Sequence, residues 1–267
     1  MNLQKKYVRT ISMKDFQTGR LSIFVLYRHM LTKNRIKFIR SLHQKKHRAN
    51  NGLFLVEGEK MVEELIERKL PIEALYRANS NLELAGVQVE DISKREMDQI
   101  SNLVSPPGIL AIVPKLEWAE TDFSCGKYLV LDQIKDPGNL GTIIRIADWF
   151  GLQGIVCDLE CVDLYNPKTV QASMGSLFRI PVFYKSLETF ISEVPEANFL
   201  AADMEGVSIS ENPAPDNAML ILGSESHGIR KPLMDKSIQR ISVPKKGKME
   251  SLNVAVAAGI LSYWMTL

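Results

Sequence analysis

Five polar residues in the second half of the chain sit where packing gives them no evident duty: Asn139 and Arg145, then Glu225, then Ser251 and Asn253. They fall in three blocks, DPGNLGTIIRIADWFG (residues 136–151), ILGSESHGI (221–229) and PKKGKMESLNVAVAAG (244–259). Each block puts Gly, Ser or Asn at the edge of an apolar segment, where main chain can approach a ligand. The residue types bound the chemistry. A guanidinium stays protonated in almost any protein setting, so Arg145 offers a fixed cation rather than a base. Glu225 can accept hydrogen bonds from a ribose or a base, or hold an arginine in place.

The elements around these residues follow from spacing. In the first block a strand over residues 128–131 leads through a loop to a helix. Leu140, Ile143, Ile144, Ala147 and Phe150 make its apolar stripe, Asn139 is placed to cap it and Gly151 to stop it. Arg145 lies about 140° around from Leu140, off the stripe. It can therefore project toward the mouth of a sheet, or else be a surface arginine paired with Asp148 or Asp136. In the second block a strand over residues 219–222 runs into Gly223, with Ser224 or Ser226 as a plain helix cap; His227 reads as capping or packing rather than catalysis. In the third, a short strand over residues 241–243 precedes a basic loop and a helix capped by Ser251. That helix is apolar nearly all round (Val254, Val256, Ala258, Ile260, Leu261, Trp264), so it needs burial on more than one side.

Composition excludes several classes. Across 267 residues, 45% apolar and 24% charged content is that of an ordinary globular protein, and no apolar run approaches a membrane span. No G-x-G-x-x-G or G-x-x-x-x-G-K-[ST] follows a strand, which disfavours a dinucleotide or NTP site. Cys125, Cys157 and Cys161 are an odd set without metal-ligand spacing, so free thiols in a cytoplasmic protein without metal are expected. The net charge of +2 hides a division: residues 1–50 carry 13 Lys/Arg against one acid, a net of +12, and the remainder carries 20 against 30, a net of −10. A polyanion partner at that end is the reading with function; a solvated basic arm is the plain one.

Residues 1–29 show no sustained period and are read as an extension lacking fixed structure. Residues 31–48 read as one basic helix with Ile36, Ile39 and Leu42 on its apolar face. Strands at 53–56, 74–77, 87–91 and 109–113, a helix starting near Met61 and a capping box from Ser93 to Glu96 make a small α/β domain over 30–114. A linker over 115–126 follows. Long apolar strands over 127–267, separated by helices, predict a parallel sheet covered on both faces.

The three blocks, in this order and spacing, resemble the motifs of the SpoU, or TrmH-like, family of RNA 2'-O-methyltransferases, over roughly residues 33–267. The resemblance implies S-adenosylmethionine bound in a C-terminal trefoil knot, homodimerisation through that domain, and an N-terminal substrate domain similar to a ribosomal-protein RNA-binding fold. It assigns Asn139, Arg145, Glu225, Ser251 and Asn253 to the catalytic set. The cofactor falls to Leu222, Gly223, Val243 and Leu252, with Ala202 and Asp203 after the preceding strand. RNA phosphates fall to Arg35, Lys37, Arg40, Lys45, Lys46 and Arg48. The sequence departs from the family at Ser242-Val243-Pro244-Lys245-Lys246, where many members have a shorter loop after Ile-Pro-Met. A ribosomal target fits the separate N-terminal domain. The alternatives are a transfer-RNA methyltransferase, an inactive RNA-binding protein of the same fold, and an NAD-type Rossmann enzyme.

Overall fold

The computed structural model describes residues 30–80, 82, 86–119, 121–211, 213–224, 227–237 and 239–267, and residues 7–14 and 21–28 as backbone alone. It divides into two compact units, Met1–Lys115 and Leu116–Leu267.

In the first unit β1 (Tyr7–Lys14) and β2 (Leu21–Arg28) form an antiparallel ladder from Tyr7↔Arg28 to Lys14↔Leu21. This pairing corrects the expectation of an unstructured extension for those two segments; the rest of residues 1–29 lies outside the described residues. There follow α1 (Lys33–Ser41), α2 (Lys45–Asn51), β3 (Leu53–Glu57), α3 (Glu59–Glu67), β4 (Ala74–Arg77), β5 (Glu90–Asp91), α4 (Lys94–Ile100) and β6 (Ile109–Pro114). The sheet order is β3-β6-β4-β5, with β6 antiparallel to both neighbours. Ile39 and Leu42 from the helices meet Leu55, Tyr76, Met97 and Leu110 in its core. The capping box forms: Ser93 Oγ accepts from the Glu96 N–H at 3.2 Å and Glu96 Oε2 accepts from the Ser93 N–H at 2.7 Å.

The single basic helix expected over 31–48 is two helices. The chain is extended at Gln44, and the guanidinium of Arg48 donates to the carbonyls of Leu42 (3.0 Å) and His43 (2.8 Å) that the break exposes. Arg48 is thus buried, which removes it from the phosphate-binding surface expected of it.

The second unit runs β7 (Lys127–Leu131), α5 (Pro137–Trp149), β8 (Gly154–Asp158), α6 (Pro167–Ser173), β9 (Val182–Lys185), α7 (Leu187–Glu193), β10 (Phe199–Ser208), β11 (Ala218–Leu222), α8 (Lys231–Met234), β12 (Gln239–Ser242) and α9 (Val254–Met265). Its sheet has the order β12-β10-β11-β7-β8-β9, and every pair is parallel. Strands buried on both faces need continuous apolar sequence, and β8 and β11 are buried at all positions. Tyr128, Val130, Phe199, Ala201, Met219 and Ile221 pack one face against Leu187 and Phe190 of α7 and Leu233 of α8. The residues between them point to the other face, where α5 and α9 lie against each other and against β8 and β11. The segment read as a linker packs on the α7 face: Phe123 stacks edge-on against Phe183 and Phe190.

Candidate active site

Neighbouring strands diverge in connection at β7. β8 and β9 lie to one side, and β11, β10 and β12 to the other. In open α/β sheets the crevice beyond the carboxyl ends at such a point is where ligands bind. A cavity of about 660 Å³ opens at the carboxyl ends of β11 and β12 and at the register shift within β10. Its walls include Ala202, Asp203, Leu222, Gly223, Val243 and Leu252, the six residues assigned above to a cofactor, and Ser251.

Local causes shape this cavity. The β10–β12 pairing shifts register between Ala202 and Val207, so the chain at Asp203 and Met204 leaves the ladder and lines the opening. Gly206 lies so close to β12 that an added Cβ would meet the Ile241 N and the Arg240 carbonyl carbon. At the end of β11 the chain folds back on itself. Ser224 bridges Gly228, whose N–H donates to the Ser224 carbonyl at 2.9 Å, and Gly223 lies in contact with Gly228, leaving no room for a side chain. Glycine at 223 is therefore set by the approach of two main-chain segments.

The helix caps correct two expectations. Asp136, not Asn139, caps α5: its Oδ1 accepts from the Asn139 N–H at 2.8 Å, with Pro137 in the first turn. Asn253, not Ser251, caps α9: its Oδ1 accepts from the Ala255 and Val256 N–H groups at 2.9 and 3.3 Å. Asn253 then spends its other end on the first block, Nδ2 donating to Asn139 Oδ1 at 3.1 Å across 114 positions of sequence. Two of the five polar residues thus meet directly, and Ser251, two positions before Asn253, lines the cavity. Arg145 does not line it. It is exposed on α5, six positions beyond Asn139, and Asp136 and Asp148 pair instead with Lys168 (3.5 Å) and Arg179 (2.7 Å). The surface ion pair considered for Arg145 is therefore not made. Glu225 lies outside the described residues.

Sequence reasoning missed Arg230. Its Nε donates to Asp132 Oδ1 at 2.7 Å, its backbone N–H to Asp132 Oδ2 at 2.8 Å, and its Nη2 to Asp158 Oδ2 at 2.8 Å. The acids lie 98 and 72 positions away, so no local pattern announces the cluster. Below it Cys157 and Cys161 are buried free thiols; Cys161 Sγ donates to the Leu131 carbonyl at 3.2 Å.

In the first unit, Lys37, Arg40, Lys45 and Lys46 are exposed. Arg35 is partly buried; its Nε donates to Tyr76 Oη at 2.6 Å and its guanidinium carbon lies 5.3 Å from the Phe38 ring centre. A second cavity, of about 550 Å³, is lined in part by Arg35, Tyr76, Glu73 and Glu90.

Comparison with known proteins bears on this architecture. The profile of the SpoU rRNA Methylase family matches residues 126–263, and that of the MRM3-like substrate binding domain matches residues 33–111. The 23S rRNA (guanosine(2553)-2'-O)-methyltransferase RlmP of Bacillus subtilis is 34% identical over 86% of this chain and 94% of its own length. A solved TrmH-family structure from Porphyromonas gingivalis superposes with a TM-score of 0.79 at 32% identity, covering 88% of this chain and 98% of that one. An AdoMet-bound rRNA methyltransferase from Sinorhizobium meliloti superposes with a TM-score of 0.79 at 28% identity, covering 88% and 96%. With both profiles matched in order and the parallel sheet in place beneath the three sequence blocks, the chain belongs to the SpoU rRNA methylase family.

Proposed function

We propose that the cavity at β10, β11 and β12 holds S-adenosylmethionine, and that residues gathered around the Asn139–Asn253 bridge position a ribose 2'-hydroxyl of ribosomal RNA beside it. The chain is an S-adenosylmethionine-dependent RNA 2'-O-methyltransferase. The observation that carries the assignment is convergence: residues from β10, β11, the loop after β12 and the approach to α9 share one wall. The cavity suits the cofactor in size, since small-molecule sites span roughly 300–1,000 Å³. It also suits it in chemistry. Leu222, Ile241, Leu252 and Leu261 offer apolar walls for an adenine, and main-chain groups at Gly223, Val243 and Leu252 offer polar contacts.

When bound, the cofactor supplies an electrophilic methyl group on a sulfonium. The chain's own residues must hold the hydroxyl in line and favour its oxyanion. Arg145 binds an RNA phosphate and stabilises the oxyanion, a role that a guanidinium fits better than removing the proton. Asn253 fixes both the start of α9 and the side chain of Asn139, and Ser251 and Glu225 complete the polar set. Positioning supplies much of the remaining rate. Lys37, Arg40, Lys45 and Lys46, with Arg35 stacked at the edge, engage RNA phosphates. RNA rather than DNA follows from the 2'-hydroxyl.

The return of the chain from β12, at the edge of the sheet, to α9 on β11 and α5 supports a trefoil knot, because that path carries the third block back over the second. Val256, Ile260 and Tyr263 form one exposed apolar stripe on the side of α9 away from its core residues, and Leu267 beyond its end and Trp149 of the adjoining α5 are also exposed. This stripe supports a homodimer. No helix among the described residues is long and apolar enough to cross a membrane, and the reading places the protein with ribosomal RNA in the cytoplasm.

The test is methyl transfer from labelled cofactor to ribosomal RNA, with the product mapped as a 2'-O-methyl nucleotide. Arg145→Ala should keep cofactor binding and lose roughly 10²–10³ of turnover, the scale of a lost oxyanion donor. Turnover equal to wild type would refute the role of Arg145, and no transfer to any RNA by the wild-type protein would favour the inactive RNA-binding alternative.

A further inference from the structure

The polar cluster left without a part in this scheme is the one around Arg230. We propose that Arg230 is a positioning residue: it fixes the cavity wall at Gly223, Ser224, Gly228 and Ile229 against the loop that leads into α5. This rests on the cavity being the S-adenosylmethionine site.

Asp132 closes one side of the cluster. It follows β7 directly and opens the loop that ends at Asp136, the cap of α5. Arg230 closes the other side, as the residue at which the folded-back segment after β11 ends. Both oxygens of Asp132 are engaged by this one residue, Oδ2 by its backbone N–H and Oδ1 by its Nε. That double hold sets the backbone as well as the side chain, so it fixes distance and twist together. Asp158, at the end of β8, takes Nη2, and Glu188 of α7 stands 3.6 Å from Nη1. The two inner carboxylates are 1% and 7% exposed. Carboxylates so buried require a cation, and only the planar fork of arginine reaches both while keeping its backbone on the first. Gly223, Ser224, Gly228 and Ile229, all within seven positions of Arg230, are cavity wall. A slack clamp would let that wall move away from β11 while leaving the sheet intact. The same clamp couples the cofactor wall to the loop before Asn139, which no single strand end does.

The experiment measures S-adenosylmethionine binding by calorimetry, RNA binding by filter retention and thermal unfolding, for wild type, Arg230→Lys, Asp158→Asn and Arg179→Lys. Arg179 is the control: its Nε and Nη2 both hold Asp148 Oδ2, at 2.8 and 2.7 Å, in a comparable ion pair with no cavity-wall residue beside it in sequence. Arg230→Lys should bind cofactor about tenfold more weakly, the scale of one charge-assisted hydrogen bond lost, with RNA affinity unchanged. Arg179→Lys should lower the unfolding temperature and keep cofactor affinity within about twofold. Asp158→Asn, which leaves the Asp132 hold intact, should fall between, and it decides the matter if Arg230→Lys does not fold. Cofactor affinity unchanged in Arg230→Lys or, should that variant not fold, in Asp158→Asn, or an equal loss in Arg179→Lys, overturns the positioning role. Failure of the wild-type protein to bind cofactor would instead overturn the reading of the cavity.

Discussion

Asn253 does two jobs with one amide, and substitutions can separate them. Its oxygen caps α9 and its nitrogen reaches Asn139. Replacing a capping Asn by Ala costs about 1 kcal/mol. The bridge to Asn139 adds about 1 kcal/mol, the net value of a typical intramolecular hydrogen bond. Asn253→Ala should therefore lose about 2 kcal/mol, while Asn253→Ser keeps the cap, is too short to reach Asn139, and should lose about 1 kcal/mol. Asn139→Ala should lose at least as much as the serine variant, because it removes the same bond from the other end. In a unit of this size each kcal/mol moves the melting temperature by about 2–4 °C. Scanning calorimetry on the four proteins and the Asn139→Ala/Asn253→Ala double variant completes a cycle whose coupling should be about 1 kcal/mol. Calorimetric titration with cofactor should show weaker binding in every variant, most of all in Asn253→Ala. Additive single losses, or a serine variant as damaged as the alanine one, would refute the bridge as a source of stability. Normal cofactor affinity in Asn253→Ala would detach it from the cavity.

Three further outcomes follow from the geometry. Gly223→Ala places a methyl group on the main chain of Gly228 and Ile229, so it should cost at least about tenfold in cofactor affinity; an unchanged affinity by titration would mean that the crossing yields freely. Asp136 is held below the usual carboxylate range by the hydrogen bond from the Asn139 backbone N–H and by Lys168. A depressed carboxyl contributes stability that is complete above its unfolded value near pH 4 and fades as pH falls through the lower folded value, so the deficit of Asp136→Asn in thermal unfolding should be clear at pH 6 and shrink on acidification. A deficit that grows with acid would reverse the assignment. Ile260→Glu, in the middle of the exposed stripe on α9, should yield monomers by sedimentation, and an unaltered mass for a dimeric wild type would move the interface elsewhere.

The elements that sequence reveals best are those fixed by burial alone. β4 falls at its expected residues and β11 within one, because an apolar run between polar turns has few other solutions. The capping box at Ser93 is local and was equally plain. The caps of α5 and α9 were misplaced for a specific reason. Asp136, Asn139, Ser251 and Asn253 are all good capping types, and which one wins depends on where the chain turns. The split between α1 and α2 depends on Arg48 finding two carbonyls, a tertiary event. Gly223 and Val243 could be placed beside a cofactor through resemblance, but that they share a wall with Ser251 is a fact of topology. Arg230 was invisible because its meaning lies in two acids far away in sequence.

The contact between Asn139 and Asn253 has a consequence for how the molecule comes to be. Closing a loop of 114 positions costs about 4 kcal/mol of chain entropy before any contact repays it. The sheet from β7 to β9 draws on neighbours close in sequence and can form earlier, whereas the pocket waits for its most distant partners. Competence for methyl transfer should therefore be the last property regained on refolding, lagging the recovery of helical signal.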